Sequence, residues 1–266
     1  DDYRASPEFQ ALAADTQRDY RLWLDRASER FGQAPLEAFQ DPRMRGEIIS
    51  WRDRWSGQPR TADKASNMMS ILLGFALERG RIGTNVAYGI PKLHFVDKAD
   101  QIWEERHRAA VQGVPSHIMD ALKLASLTGL RLSDLVKLDW SEVGQKAIVR
   151  VTQKRKARAV IPIVPELRKH LDARKHREGP VLRNSRGNGW TPSGFQSTWL
   201  KKPPKGFDRA LHDLRGTYVT FLASKELTDE QIARIVGWTA KRVAEIRARY
   251  VDEERVVISL IDRLTG

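Results

Sequence analysis

The chain has 266 residues, 41% hydrophobic and 30% charged, which allows one large globular domain or two ordinary ones and excludes a long disordered polymer. It has no cysteine, excluding disulfide scaffolds, thiol catalysis and cysteine zinc sites; no apolar run nears the ~20 residues of a membrane span and no signal segment opens it, so the simplest reading is cytoplasmic with no membrane partner. The formal net charge of +12 points to a polyanionic partner.

The first part reads as helical. Tyr20, Trp23, Leu24, Ala27 and Phe31 recur at helical spacing after Thr16. Trp51 and Trp55 lie four apart and share a face. Thr61 is placed to cap a helix with Met68, Ile71, Leu72 and Phe75 on one stripe, and Gly80 to stop it. These aromatics read as core rather than as a base-stacking platform. The segment GIPKLHFVDKADQ has little periodicity and reads as a linker. The predicted domains are therefore residues 1–95 and 96–266.

The second part mixes elements. Residues 115–127 suit a helix that breaks at Gly129. Ala147 to Gln153 and Ala159 to Ile163 are β-rich runs joined by the basic turn KRKAR, which predicts a hairpin. Thr228 and Gln231 have capping-box spacing, with Ile232, Ile235 and Val236 behind them and Gly237 at the stop. Val243, Ile246 and Tyr250 share one face of the next helix. The fold class is mainly α with a small antiparallel sheet. Charge is unevenly spread: residues 1–95 carry 14 Lys/Arg against 13 Asp/Glu, whereas residues 154–215 carry 16 against 5. A concentrated patch of this kind suits phosphate binding better than a diffuse one.

Chemistry on nucleic acid needs a nucleophile and a way to hold negative charge on phosphorus. Without cysteine, and with no HExxH, P-loop or EF-hand pattern, covalent chemistry through Ser, Tyr or His remains, with Arg, Lys and His as charge-holding donors. Three places supply them. TGLRLSDL sets Arg131 after a glycine turn, with Asp134 three residues on and able to reach back to its guanidinium; a surface ion pair is the plain alternative. HDLRGTYVT sets His212 and Arg215 three apart, on one helical face. GWTAKRVAEIRARYV holds Trp238 and Tyr250; the one could simply staple its helix onto Val243 and the other could simply be core.

As an ordered set, Arg after TGLR, a hairpin lysine, HxxR, G-[HW] and a tyrosine near the C-terminus resemble the tyrosine recombinase (phage integrase) family. The helical front part is similar to that family's core-binding domain, and ALERGRIGTN to the end of its last helix. The likeness covers nearly the whole chain; the family's arm-binding domain is not seen in it, as in a fragment starting at Asp1. The resemblance implies a helical core-binding domain followed by an α+β catalytic domain with a C-terminal tail helix. It puts the first arginine on Arg131, the supporting acid on Asp134, the second arginine on Arg215, the histidine on His212, the His-or-Trp position on Trp238 and the nucleophile on Tyr250. QKRKAR is similar to the family's QKTGK and puts the lysine on Lys154, but the turn lacks the glycine, which keeps Lys156 as a second candidate. The spacing from Trp238 to Tyr250 exceeds that of the best-known members by about three residues, close to one helical turn of ~3.6.

The implied reaction is site-specific cleavage and rejoining of DNA through a 3′-phosphotyrosyl link, with no cofactor and no metal. Arg131 and Arg215 would fork onto the non-bridging oxygens, the lysine would protonate the leaving 5′-oxygen, His212 would assist proton transfer at the tyrosine, and Trp238 would donate its indole N–H. Arg155, Lys156, Arg158, Lys201, Lys202 and Lys205 are further DNA-contact candidates on charge. The implied partners are double-stranded DNA, other protomers in a DNA-bound synaptic tetramer, and accessory DNA-bending proteins. The apolar positions Val256, Val257, Leu260, Ile261 and Leu264 after Tyr250 would dock on the chain itself or on a neighbouring protomer. A type IB topoisomerase-like enzyme and a non-catalytic DNA-binding regulator are the other readings.

Overall fold

The structure, a computed structural model, describes residues 1–95, 101–153 and 157–250, and only the helical backbone at Arg242, Ile246, Ala248, Arg249 and Tyr250. The chain divides into two compact units, Asp1–Val96 and Asp97–Gly266.

The first unit is helical: α1 (Asp2–Ala5), α2 (Pro7–Gln10), α3 (Ala14–Phe31), a 3-10 turn at Leu36–Gln40, α4 (Met44–Asp53) and α5 (Pro59–Glu78). Trp23, Trp51 and Trp55 meet edge to face, with ring centroids 5.2 to 6.3 Å apart, so these aromatics fill the core. Such pairs add to simple area burial because ring edge and ring face carry opposite partial charge. α5 begins two residues before Thr61. Pro59, whose fixed φ suits the first helical position, starts it after Gln58, and the Thr61 hydroxyl bonds the Gln58 side chain at 3.2 Å. Met68, Met69, Leu73 and Phe75 are its buried face, with Ile71 and Leu72 only partly buried.

The second unit runs α6 (Glu105–Ala110), α7 (Ser116–Thr128), α8 (Leu132–Leu135), a 3-10 turn at Trp140–Glu142, the strands β1 (Ala147–Val151) and β2 (Arg158–Pro162), then α9 (Pro165–Asp172), α10 (Pro192–Trp199), α11 (Asp213–Ser224), α12 (Asp229–Val236) and α13 (Ala240–Tyr250). This is the mainly helical architecture with a small antiparallel sheet that the sequence predicts. β1 and β2 pair with Ile148 opposite Ile161 and Arg150 opposite Ala159. Strand alternation turns Ile148, Arg150, Ala159 and Ile161 inward and Val149, Val151 and Val160 outward. One core gathers Trp103, Leu124, Leu135, Ile148, Ile161 and Phe195; a second gathers Val219, Leu222, Ile232 and Val243 from α11, α12 and α13. Trp103 ties the start of this unit to α11: its backbone N–H donates to Thr217 Oγ1 at 2.8 Å and its indole to the Ala210 carbonyl at 2.9 Å. Among the described residues no helix is long and apolar enough to cross a membrane.

Candidate active site

Two glycine stops aim the helix ends that build the site. α7 ends at Gly129, which takes the left-handed conformation at φ 60° and returns its N–H to Ala125. A side chain there would also strike the ring of Tyr218, with a Cβ only 2.4 Å from a ring carbon. α12 ends the same way at Gly237, φ 67°, whose bare Cα lets the turn lie against Thr152 and Ala159 of the hairpin. The capping box of Thr228 and Gln231 fixes the other end of α12.

Arg215 rises from the first turn of α11 into the gap between those two stops. Its guanidinium donates to the Gly129 carbonyl and, at 3.2 Å, to the Val236 carbonyl, and it is 4% exposed. Two helix C-terminal ends thus hold one cation, where the backbone's partial negative charge favours it. The Trp238 ring, set one residue past Gly237, lies 4.1 Å from the Arg215 guanidinium carbon and 5.7 Å from that of Arg131. Arg131 is the half-buried N-cap residue of α8. Trp238 packs on the core that contains Val243, yet its indole Nε1 is buried and finds no hydrogen-bond partner among the described residues. A buried donor without a partner is costly, so an acceptor arriving beside the two guanidinium groups would be stabilised there.

Asp134 departs from the expectation that it reaches back to Arg131. It is fully buried, and its Oδ1 accepts the Gln153 backbone N–H at 2.7 Å and lies 3.7 Å from Arg150 Nε. Sequence reasoning passes over Arg150, which is 4% exposed and also donates to Glu142 and to the Lys137 carbonyl. The available signal is a charged residue on the inward parity of a strand, between Ile148 and Thr152.

His212 is exposed at the N-cap of α11, three residues before the buried Arg215. Arg158 opens β2 and is exposed; Lys201, Lys202 and Lys205 are exposed in the turn after α10. Lys154, Arg155 and Lys156 lie outside the described residues, as does the tail from residue 251. Tyr250 closes α13, seven residues after the fully buried Val243; its side chain also lies outside the description. Tyr218, by contrast, is buried beside Gly129, and burial pushes its phenol up to about 12, which suits core rather than nucleophile.

The family model described as the phage integrase family matches residues 96–254. No curated protein sequence matches the chain. Among solved structures, the chain is similar to a lambda integrase dimer bound to a COC′ core site, at 18% identity over 92% of each chain and a TM-score of 0.73. It is similar to a lambda integrase tetramer bound to a Holliday junction, at 18% identity over 86% of this chain and 73% of that one, with a TM-score of 0.68. The Tn1549 transposon integrase in complex with transposon right end DNA matches at 13% identity, over 96% of this chain and 95% of that one, with a TM-score of 0.65. At these identities the likeness is one of fold.

Proposed function

The chain belongs to the phage integrase family, and on that premise we propose that it is a site-specific tyrosine recombinase that cleaves and rejoins duplex DNA through Tyr250. The observation that carries this reading is the meeting of Arg131, Arg215 and the Trp238 indole N–H, which has no partner among the described residues, around one ring. Three donors converging from three elements suit a phosphoryl group whose negative charge grows as it is attacked.

In this reading the Tyr250 oxygen attacks phosphorus as the bond to the 5′-oxygen breaks, leaving a 3′-phosphotyrosyl link. The phenol, ordinarily near pKa ~10, gives up its proton with the help of His212. The leaving oxygen gains a proton from the hairpin turn, by Lys154 or Lys156. Arg131 and Arg215 hold the non-bridging oxygens through planar forks, and Trp238 donates to one of them. The reverse attack by a 5′-hydroxyl rejoins the strand, so the energy of the phosphodiester is kept. Residues 1–95 would act as the core-binding domain on the same duplex, with partner protomers assembled as in the DNA-bound integrase dimer and tetramer of similar fold.

The test is covalent capture on a nicked suicide duplex. Tyr250→Phe keeps the ring and removes the nucleophile, so covalent complex should vanish while duplex binding stays nearly unchanged; Tyr20→Phe, in the first unit, should capture normally. Capture persisting in Tyr250→Phe would remove Tyr250 from the role.

A further inference from the structure

We propose that Arg150 is a positioning residue for the strand-cleavage step, acting on the hairpin turn that carries the leaving-group acid; this rests on the recombinase reading above. β1 turns Arg150 inward, where a cation needs a reason to be buried. It is paired there with two carboxylates, Glu142, which it hydrogen-bonds, and Asp134, which is itself 0% exposed. Among the described residues Oδ2 of Asp134 has no hydrogen bond, and the cation beside the carboxylate is Arg150, 3.7 Å from Oδ1. A buried carboxylate without a cation is strongly disfavoured. The same Oδ1 accepts the backbone N–H of Gln153 at 2.7 Å, and Gln153 is bonded to Lys154.

Asp134 lies on α8, the helix with Arg131 at its N-cap position. One carboxylate therefore joins the element of the first arginine to the last described residue before the lysine turn. Arg150 locks that joint from beneath, because its guanidinium also holds Glu142 and the Lys137 carbonyl. Hairpin, α8 and the segment between them are thereby fixed in one register. On cleavage the phosphorus–O5′ bond breaks as the tyrosine–phosphorus bond forms, and the 5′-oxygen must take a proton. Loosening Gln153 displaces the acid that supplies it and leaves the fork of Arg215, anchored on Gly129 and Val236, in place.

That division gives Arg150 its own signature. Arg150→Lys keeps the buried charge but cannot reach Asp134, Glu142 and Lys137 together. Covalent capture of an ordinary phosphodiester substrate by the full chain should fall roughly 10²-fold, the lower end for losing a placed general acid. With sulfur replacing the 5′-bridging oxygen, the leaving thiolate needs no proton, and Arg150→Lys should return to within about threefold of the unsubstituted chain, as Lys154→Ala or Lys156→Ala should. Should Arg150→Lys fail to fold, the pair Arg150→Met with Asp134→Asn removes both buried charges, keeps an acceptor for Gln153 and withdraws the Arg150 donor from the partly solvated Glu142 and from the Lys137 carbonyl; the same sulfur rescue is expected. Equal losses on the two substrates in a folded variant would overturn the role of Arg150 alone. No covalent complex from the unsubstituted chain on either substrate would instead overturn the recombinase reading, and Arg150's role with it.

Discussion

Arg215 is the residue most tightly specified by its surroundings. Its two carbonyl partners, on Gly129 and Val236, fix the guanidinium plane, and the Trp238 face closes it from a third side. A lysine ammonium carries the charge but not the planar fork. Arg215→Lys should therefore slow covalent capture by about 10²–10³, the range for loss of one charge-stabilising donor in a transition state; capture within tenfold of the unsubstituted rate would sink the assignment. Trp238 makes a narrower case, because ring and donor can be separated. Trp238→Phe keeps an aromatic face for both guanidinium groups and deletes the buried Nε1–H. If that N–H meets a phosphate oxygen, its loss costs about 1.5–3 kcal/mol, the worth of a hydrogen bond to a charged group, or roughly 10- to 150-fold in rate. The donor finds no hydrogen-bond partner among the described residues, so the thermal midpoint should fall only by what the smaller ring loses in packing. A midpoint that falls while the cleavage rate stays the same would show the indole to be structural only.

Element by element, what can be read from the sequence is local. The capping box of α12, the stops at Gly129 and Gly237 and the hairpin around KRKAR each depend on residues within a few positions of one another, where spacing is informative. The start of α5 is misplaced in the sequence reading because Thr61 is a good cap in isolation, whereas Pro59 opens the helix first. The partner of Asp134 escapes it for a different reason: Arg150 is distant in sequence and reaches the carboxylate only once β1 is folded. The buried His170 of α9 is another such product of packing. Its Nε2 lies 3.2 Å from the Asp120 carbonyl of α7 and 3.0 Å from Arg174 Nη2. Burial, and then the Arg174 charge with Lys123 adding to it, lowers its pKa to about 4 against an opposing pull from Asp120. The unfolded chain, with an ordinary histidine near ~6.5, binds the proton first. His170 thus favours the fold fully above about pH 6.5 and loses that contribution as pH falls towards 4. His107, also lowered by burial, acts in the same direction. Thermal midpoints followed from pH 7 to pH 4 should therefore drop less steeply for His170→Gln than for the unsubstituted chain. Parallel curves would show that His170 does not titrate on unfolding.

At the scale of the whole molecule, both units pair many basic side chains with their own acids, and the second unit adds exposed lysines outside those pairs. In the first, many basic side chains are matched by acids of the same unit: Arg4 with Asp25, Arg30 with Glu47, Arg43 with Asp41, Arg79 with Glu8 and Arg81 with Asp2. In the second, Lys201, Lys202 and Lys205 are exposed, and among the described residues none of them forms an ion pair. A solvated lysine can neutralise a phosphate without first giving up a carboxylate, and each phosphate neutralised releases condensed counterions from the duplex. Duplex affinity should therefore fall steeply with salt, and the lysine turn after α10 should supply a separable part of that fall. Replacing all three lysines by glutamine should reduce the slope of log K against log salt by up to about 0.9 for each lysine that meets a phosphate. Covalent capture at saturating protein should change little, because the turn is separate in sequence from the residues assigned to chemistry. The measurement is a salt titration of duplex binding for the triple variant beside the unsubstituted chain. An unchanged slope would mean that this turn faces away from the duplex, and that the charge excess of residues 154–215 works through the hairpin turn and the arginines beyond it.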